Sequence, residues 1–238
     1  MLADLPIAVE AGRLEPEIHL PGTARYALLD FIAEELPRWR DHPERKRETS
    51  EVRLTDQLCR HLNSVARISD GWSRIQFRTE VPDEIEGTRA IDLAATPCGA
   101  ILVIEGRRHT QFQSLLPIEC KRLPTPQRKD RDEREYVVTK HGSTGGIHRF
   151  KFGHHGAAHR LGAMIAYVQE MTFSHWLGRV NGWIRDLSAE ADSAWGDSDV
   201  LSLLKEDSMI GLCTLHSHHQ RTGNIEECEL RHLWVRMN

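Results

Sequence analysis

Apolar residues recur along this chain in two periods, one helical and one alternating. Over residues 24–36, Ala27, Leu28, Phe31, Ile32 and Leu36 fall at helical spacing, and Pro37 ends the pattern. A second helix is predicted from near Ser50. There Leu54, Leu58, Leu62 and Val65 make a stripe of period 3.6, with Thr49 or Ser50 available as N-cap. Strand-like segments follow at 74–81, where Ile75, Phe77 and Val81 alternate, at 89–95 and at 115–123. Between the last two, the short apolar run 101–104 after the Pro97-Cys98-Gly99 turn predicts an additional strand. Residues 157–171 are then predicted as a helix. Trp176, Val180, Trp183 or Ile184, and Leu187 mark another helix, and strands at 209–216 and 228–235 close the chain around Thr222-Gly223-Asn224. This order predicts an α/β fold, a mixed central β-sheet flanked by helices. It is read as an N-terminal helical extension over 1–48 and an α/β domain over 49–238, with charge-dense, linker-like stretches at 41–48 and 124–135.

Composition narrows the class. With 238 residues, 39% apolar and 28% charged, the chain is long enough to bury a sizeable core. No run approaches the roughly 18 apolar residues of a membrane span, and the opening residues have neither a basic leader nor a long apolar stretch. A cytoplasmic protein without a membrane partner is therefore expected. Five scattered cysteines with no CxxC pair point to reduced thiols rather than a disulfide framework.

The net charge of −4 hides an asymmetry: residues 121–160 carry ten Lys/Arg against four Asp/Glu, leaving the remainder strongly acidic. Five histidines lie in the same stretch. A basic segment on an acidic body fits a phosphate-binding face, and a solvated loop would have the same composition.

The chemistry concentrates at Asp92, Glu119 and Lys121. Asp92 sits in Arg-Ala-Ile-Asp-Leu-Ala-Ala, where apolar flanks predict a half-buried strand that holds the carboxylate rigidly. Residues two apart on a strand share a face, so Glu119 and Lys121 emerge side by side while Cys120 faces away. If the two strands pair, two carboxylates and a lysine converge, and a divalent cation is the natural compensator. Counted at 100° per residue, Glu51 falls in the middle of the Leu54–Leu58–Leu62–Val65 stripe, so it too points coreward.

Ile-Asp, a spacer, then Ile-Glu-x-Lys resembles the signature of the PD-(D/E)XK, restriction-endonuclease-like nucleases. Ile91 stands where the written pattern has Pro, and the spacer contains Glu105, a reserve ligand. The resemblance implies a restriction-endonuclease-like core spanning about residues 49–170. Asp92 and Glu119 would be the metal-binding acids, Lys121 the catalytic lysine, and Glu51 the acid that the family often adds from the preceding helix. It further implies Mg²⁺ (Mn²⁺ as a substitute) held by Asp92, Glu119, the Cys120 backbone carbonyl and Glu51. The substrate class would be DNA, or RNA, cut by hydrolysis in restriction or anti-phage defence, by a homodimer or a subunit of a larger complex. Ordinary placements exist for each residue: a strand-end Asp bonded to a turn, an exposed Glu–Lys pair worth under ~1 kcal/mol, a first-turn Glu on the helix dipole. Their conjunction in order favours the site.

Gly145 and Gly146, followed by His148, Arg149 and Lys151 near a helix start, suit a phosphate grip; with Arg122 these are the nucleic-acid-binding candidates. Cys213, His216, His218, His219, Cys228 and His232 have poor zinc spacing, and core cysteines with surface histidines explain them more simply. Trp176, Trp183 and Trp195 could supply an interface, although Trp at helical spacing is more often core. The alternative function is a catalytically inactive nucleic-acid-binding or assembly subunit on the same fold.

Overall fold

The structure, a computed structural model, describes residues 16–85, 87–127, 131–139 and 145–238. Ser50 is extended (φ −75°, ψ 131°) and turns the chain into helix α2, Glu51–Ile68. Leu54, Leu58 and Leu62, all fully buried, lie along its inner face, each contributing about 1.5–3 kcal/mol of burial. Ala66 completes the stripe, with Val65 only half-buried.

Helix α1, Ala24–Arg40, does not stop at Pro37 as the sequence predicts. A proline removes one donor from the ladder, but Trp39, 2% exposed and 5.7 Å from the Tyr167 ring, anchors the extra turn in the core.

Seven strands form the main sheet: β2 (Ile75–Pro82), β3 (Ala90–Pro97), β6 (Leu116–Leu123), β7 (Leu161–Val168), β10 (Cys228–Arg236), β9 (Leu212–His219) and β8 (Ser202–Asp207), in that spatial order. β6, β7 and β10 run parallel to their neighbours in that trio, and the remaining pairings are antiparallel. A separate three-stranded sheet joins β1 (Glu17–Leu20), β4 (Ile101–Ile104) and β5 (Arg107–His109). The additional strand predicted at 101–104 thus belongs to this small sheet. α1 and α2 share one core with one face of the main sheet, including Ile118, Ile165 and Leu233. Helices α3 (Gly146–Lys151) and α4 (Phe173–Ser188) pack on the other face, with Met164, Leu230 and Trp234. The result is a mixed sheet between helices.

Residues 157–171 are not a helix. Leu161–Val168 is a strand buried along its whole length. A central strand covered on both faces is a continuous apolar run without alternation, which periodicity cannot tell from a buried helix. Gly162 permits its close fit, since a Cβ there would lie 2.7 Å from Phe150 Cε1. The predicted strand at 209–216 begins at Leu212 and reaches His219, after a turn from β8, a strand the sequence reading missed. Of the stretch read as an N-terminal extension, residues 1–15 lie outside the described residues, while Leu28, Ile32 and Leu36 of α1 belong to the same core as α2. All five cysteines are free thiols. Among the described residues, no helix is long and apolar enough to cross a membrane.

Candidate active site

The β3–β6 ladder ends at the pair Leu93–Ile118, and one residue further on the strands are no longer paired. This leaves β6 main-chain donors facing a gap, and buried N–H groups must find acceptors. Carboxylates take them. Asp92 Oδ2 accepts the Cys120 N–H at 2.8 Å, and Glu51 Oε2, from the first turn of α2, accepts the Arg122 N–H at 3.2 Å. Buried Ile91 and Leu93 fix the backbone on either side of Asp92.

Lys121 Nζ lies at the centre of this gap. It stands 3.2 Å from Asp92 Oδ2, 3.4 Å from Glu51 Oε1, 3.4 Å from Glu119 Oε2 and 2.9 Å from the Cys120 carbonyl. Three carboxylates from a helix and two strands thus surround one ammonium whose side chain is 7% exposed. Glu119 is fully buried; Arg149 donates to its Oε2 at 2.9 Å, and His155 Nδ1 lies 2.5 Å from its Oε1. His155 is held in turn by its N–H to the Arg149 carbonyl and by the next residue, Gly156, whose N–H bonds Asp83.

These surroundings separate the acids. Burial and the neighbouring Glu119 charge push Asp92 up to about 6, although Lys121 and the Cys120 N–H pull the other way. For Glu119, burial alone would raise the value, but Lys121, the His155 hydrogen bond and Arg149 outweigh it and hold it at about 2. Burial likewise works against the Lys121 charge, and Asp92, Glu119 and Glu51 reverse that, raising it well above the ordinary lysine value. Asp92 and Glu51 face a cleft of about 230 Å³ that is also lined by Thr55, Thr79 and Glu80. Glu80, missed at the sequence level, adopts a left-handed φ of 52° on β2. Its strand parity was the only available signal, because Thr79–Leu93 and Val81–Ile91 bracket it opposite Asp92.

The structure therefore brings together Glu51, Asp92, Glu119 and Lys121. It does not assemble the whole predicted phosphate grip. Lys151 is 2% exposed and its ammonium bonds both Asp199 oxygens, at 2.9 and 3.0 Å, and the Gln220 carbonyl. A buried ion pair has replaced the surface cation expected there. His148 is 6% exposed and stacked 4.3 Å from Phe152; burial, with His154 and Arg89 nearby, lowers it to about 4, so it is neutral at pH 7. The start of α3 is closed to anions: the N–H groups of Gly146, Ile147 and His148 bond the carbonyls of Glu135, Tyr136 and Val137. Gly145, at φ 140°, serves this packing, since a Cβ there would lie 2.5 Å from the Val138 Cα. Arg149 joins the site through Glu119, and Arg122 lies beside it with its guanidinium on Gln169 at 2.9 Å. The reserve ligand Glu105 is in the turn after β4, paired with Arg25 at 3.3 Å, away from the gap.

His155 was also missed at the sequence level. No local pattern marks it, because its partner is 36 positions away. A second polar cluster escaped too: Asp199, His219, Ser217, His232, Tyr136 and Trp234 are linked in a buried chain by hydrogen bonds of 2.5–2.9 Å. Asp199, His219 and Ser217 stand in the order of a hydrolase triad. Ser217 is 2% exposed and its hydroxyl is shared with His232, so the chain is a satisfied core network. Cys213 and Cys228 are buried core residues, as are Trp176 and Trp183, and Trp195 packs under Lys151. No protein-family model, curated protein or solved structure matches this chain, so what the site does is read from its own geometry.

Proposed function

We propose that the chain is a metal-dependent nuclease with a restriction-endonuclease-like core, hydrolysing phosphodiester bonds of DNA. The observation that carries this reading is the convergence of Glu51, Asp92 and Glu119 on Lys121 Nζ within 3.2–3.4 Å, beside an open cleft. The donor set fits Mg²⁺, a hard cation that prefers carboxylate and carbonyl oxygens. These oxygens already surround a positive charge, that of the lysine. Asp92, Glu119 and the Cys120 carbonyl would hold the ion, with Glu51 at its side. Held by these residues, Mg²⁺ would supply Lewis-acid chemistry, polarising a scissile phosphate and making a nearby water more acidic.

The chain's own residues supply the rest. Lys121, charged at every working pH, stabilises negative charge developing on the phosphate. Arg149 and His155 keep Glu119 ionised and fixed in direction, and the burial of Glu119 and His155 excludes bulk water from that side. Arg149, whose side chain is 26% exposed, reaches toward solvent and can also meet a phosphate. Restriction or anti-phage defence is the biological setting such a nuclease suits.

The engagement of Glu119 by three cationic or imidazole groups favours a second reading, an inactive nucleic-acid-binding or assembly subunit, since a metal would compete with them. Plasmid cleavage in Mg²⁺, with EDTA as control, separates the two. The nuclease cuts only with metal, and Lys121→Ala lowers the rate by at least about a hundredfold. An uncut plasmid under all metal conditions, or a Lys121→Ala variant cutting at the parent rate, overturns the nuclease reading.

A further inference from the structure

His216 and His218, two residues apart on β9, project from the same face of the strand. Glu229 on β10 stands directly opposite His218. One ligand atom from each of the three lies within 4.8 Å of the others. This group is separate from the carboxylate site. Glu119 pairs with Met164, Met164 with His232, and His232 with Leu215, so His216, one residue on, points to the opposite face of the sheet.

We propose that His216, His218 and Glu229 form a binding site for a borderline divalent transition ion of the zinc class. His216 Nδ1 and His218 Nε2 are 3.3 Å apart, with the rings at 89° to one another. That distance is long for a hydrogen bond. Two nitrogens each about 2.0–2.1 Å from one tetrahedral ion stand about 3.3–3.4 Å apart, so the observed spacing is that of two ligands on one zinc, which would replace the proton the two rings share. Two imidazoles and one carboxylate are the ligand types zinc, cobalt and nickel accept, whereas Mg²⁺ prefers oxygen alone.

The carboxylate is already oriented. Tyr26 of α1 donates to Glu229 Oε2 at 2.8 Å and Arg231 to Oε1 at 2.6 Å, and each oxygen keeps a second lone pair. Arg231 stands opposite His216, but its guanidinium is drawn over the Tyr26 ring, 5.1 Å from the centroid, which holds that cation on Glu229 and α1. His218 is exposed and the other two are half-buried, leaving room for water or a further ligand on the ion.

The test is a calorimetric titration of the full chain with Zn²⁺ in excess Mg²⁺, which occupies oxygen-only sites. One zinc site is expected, lost in the His216→Ala/His218→Ala double variant and weakened at least about tenfold by Glu229→Gln. Asp92→Asn leaves it intact. X-ray absorption of the zinc-loaded parent should show two imidazoles and oxygen in the first shell, a readout that does not depend on any variant folding. Absence of a zinc site, binding unchanged in the double variant, loss in Asp92→Asn, or a shell without imidazole overturns the proposal. Because the site does not use the carboxylate centre, an inactive nuclease with an intact zinc site, or the reverse, would tell the two readings apart.

Discussion

Asp92 is the residue in which structure and chemistry are most closely coupled. Its carboxylate replaces a ladder acceptor for Cys120, and in doing so becomes half-buried beside Glu119, with its pKa raised from 3.8 to about 6. A raised carboxylate value means that the folded state holds the proton more tightly than the unfolded one. Ionisation therefore costs stability as pH rises from about 4 to about 6, and the cost is complete above that range. The shift corresponds to about 3 kcal/mol. Asp92→Asn keeps an acceptor for the Cys120 N–H while removing the charge. At pH 7.5 without metal, the variant should melt on the order of 10 °C higher than the parent. At pH 4 the difference should nearly vanish, because the parent is then largely protonated. Differential scanning calorimetry at both values checks this, and equal gains at the two pH values would mean the carboxylate is not strained by its charge.

At the scale of elements, the connection from β6 to β7 departs most from its sequence pattern. Glycines before a cationic turn suggest backbone open to phosphate, yet Gly145 and Gly146 are there because Tyr136–Val138 packs onto them. Gly145→Ala places a side chain on a φ of 140° and against the Val138 main chain. We expect a loss of about 2–4 kcal/mol, read from the urea midpoint. Little change in stability together with weaker DNA binding would instead restore the phosphate-grip role. The same connection supplies Arg149 and His155 to Glu119 and buries Lys151 on Asp199, so its cations serve the interior as well as the surface.

For the whole molecule, a cation that binds only the folded state stabilises it in proportion to occupancy, by about 2.7 kcal/mol at one hundred times its dissociation constant. Mg²⁺ should therefore raise the melting temperature of the parent at pH 7.5, and not that of Asp92→Asn. The effect should shrink as pH falls through about 6, where a proton competes for Asp92. An equal rise in both proteins would place the ion elsewhere. How much of this was legible in the chain follows from the range of the interactions. Periodicity is local, so the sequence by itself determined α2, α4, most strands, the α/β class, and that Glu119 and Lys121 share a face, with Asp92 on a strand and Glu51 turned coreward. It could not distinguish a helix from a strand at 161–168, because a segment buried on both faces has no polar side to set a period. Tertiary structure alone decided that Asp92 and Glu51 occupy the gap where β3 leaves β6, that His155 and Arg149 reach Glu119, and that Lys151 turns inward. Each of these pairs joins residues 28 to 71 positions apart. Burial makes a partner obligatory for a charged group, but which partner it finds depends on which strands and helices become neighbours, and that is a property of the packed fold.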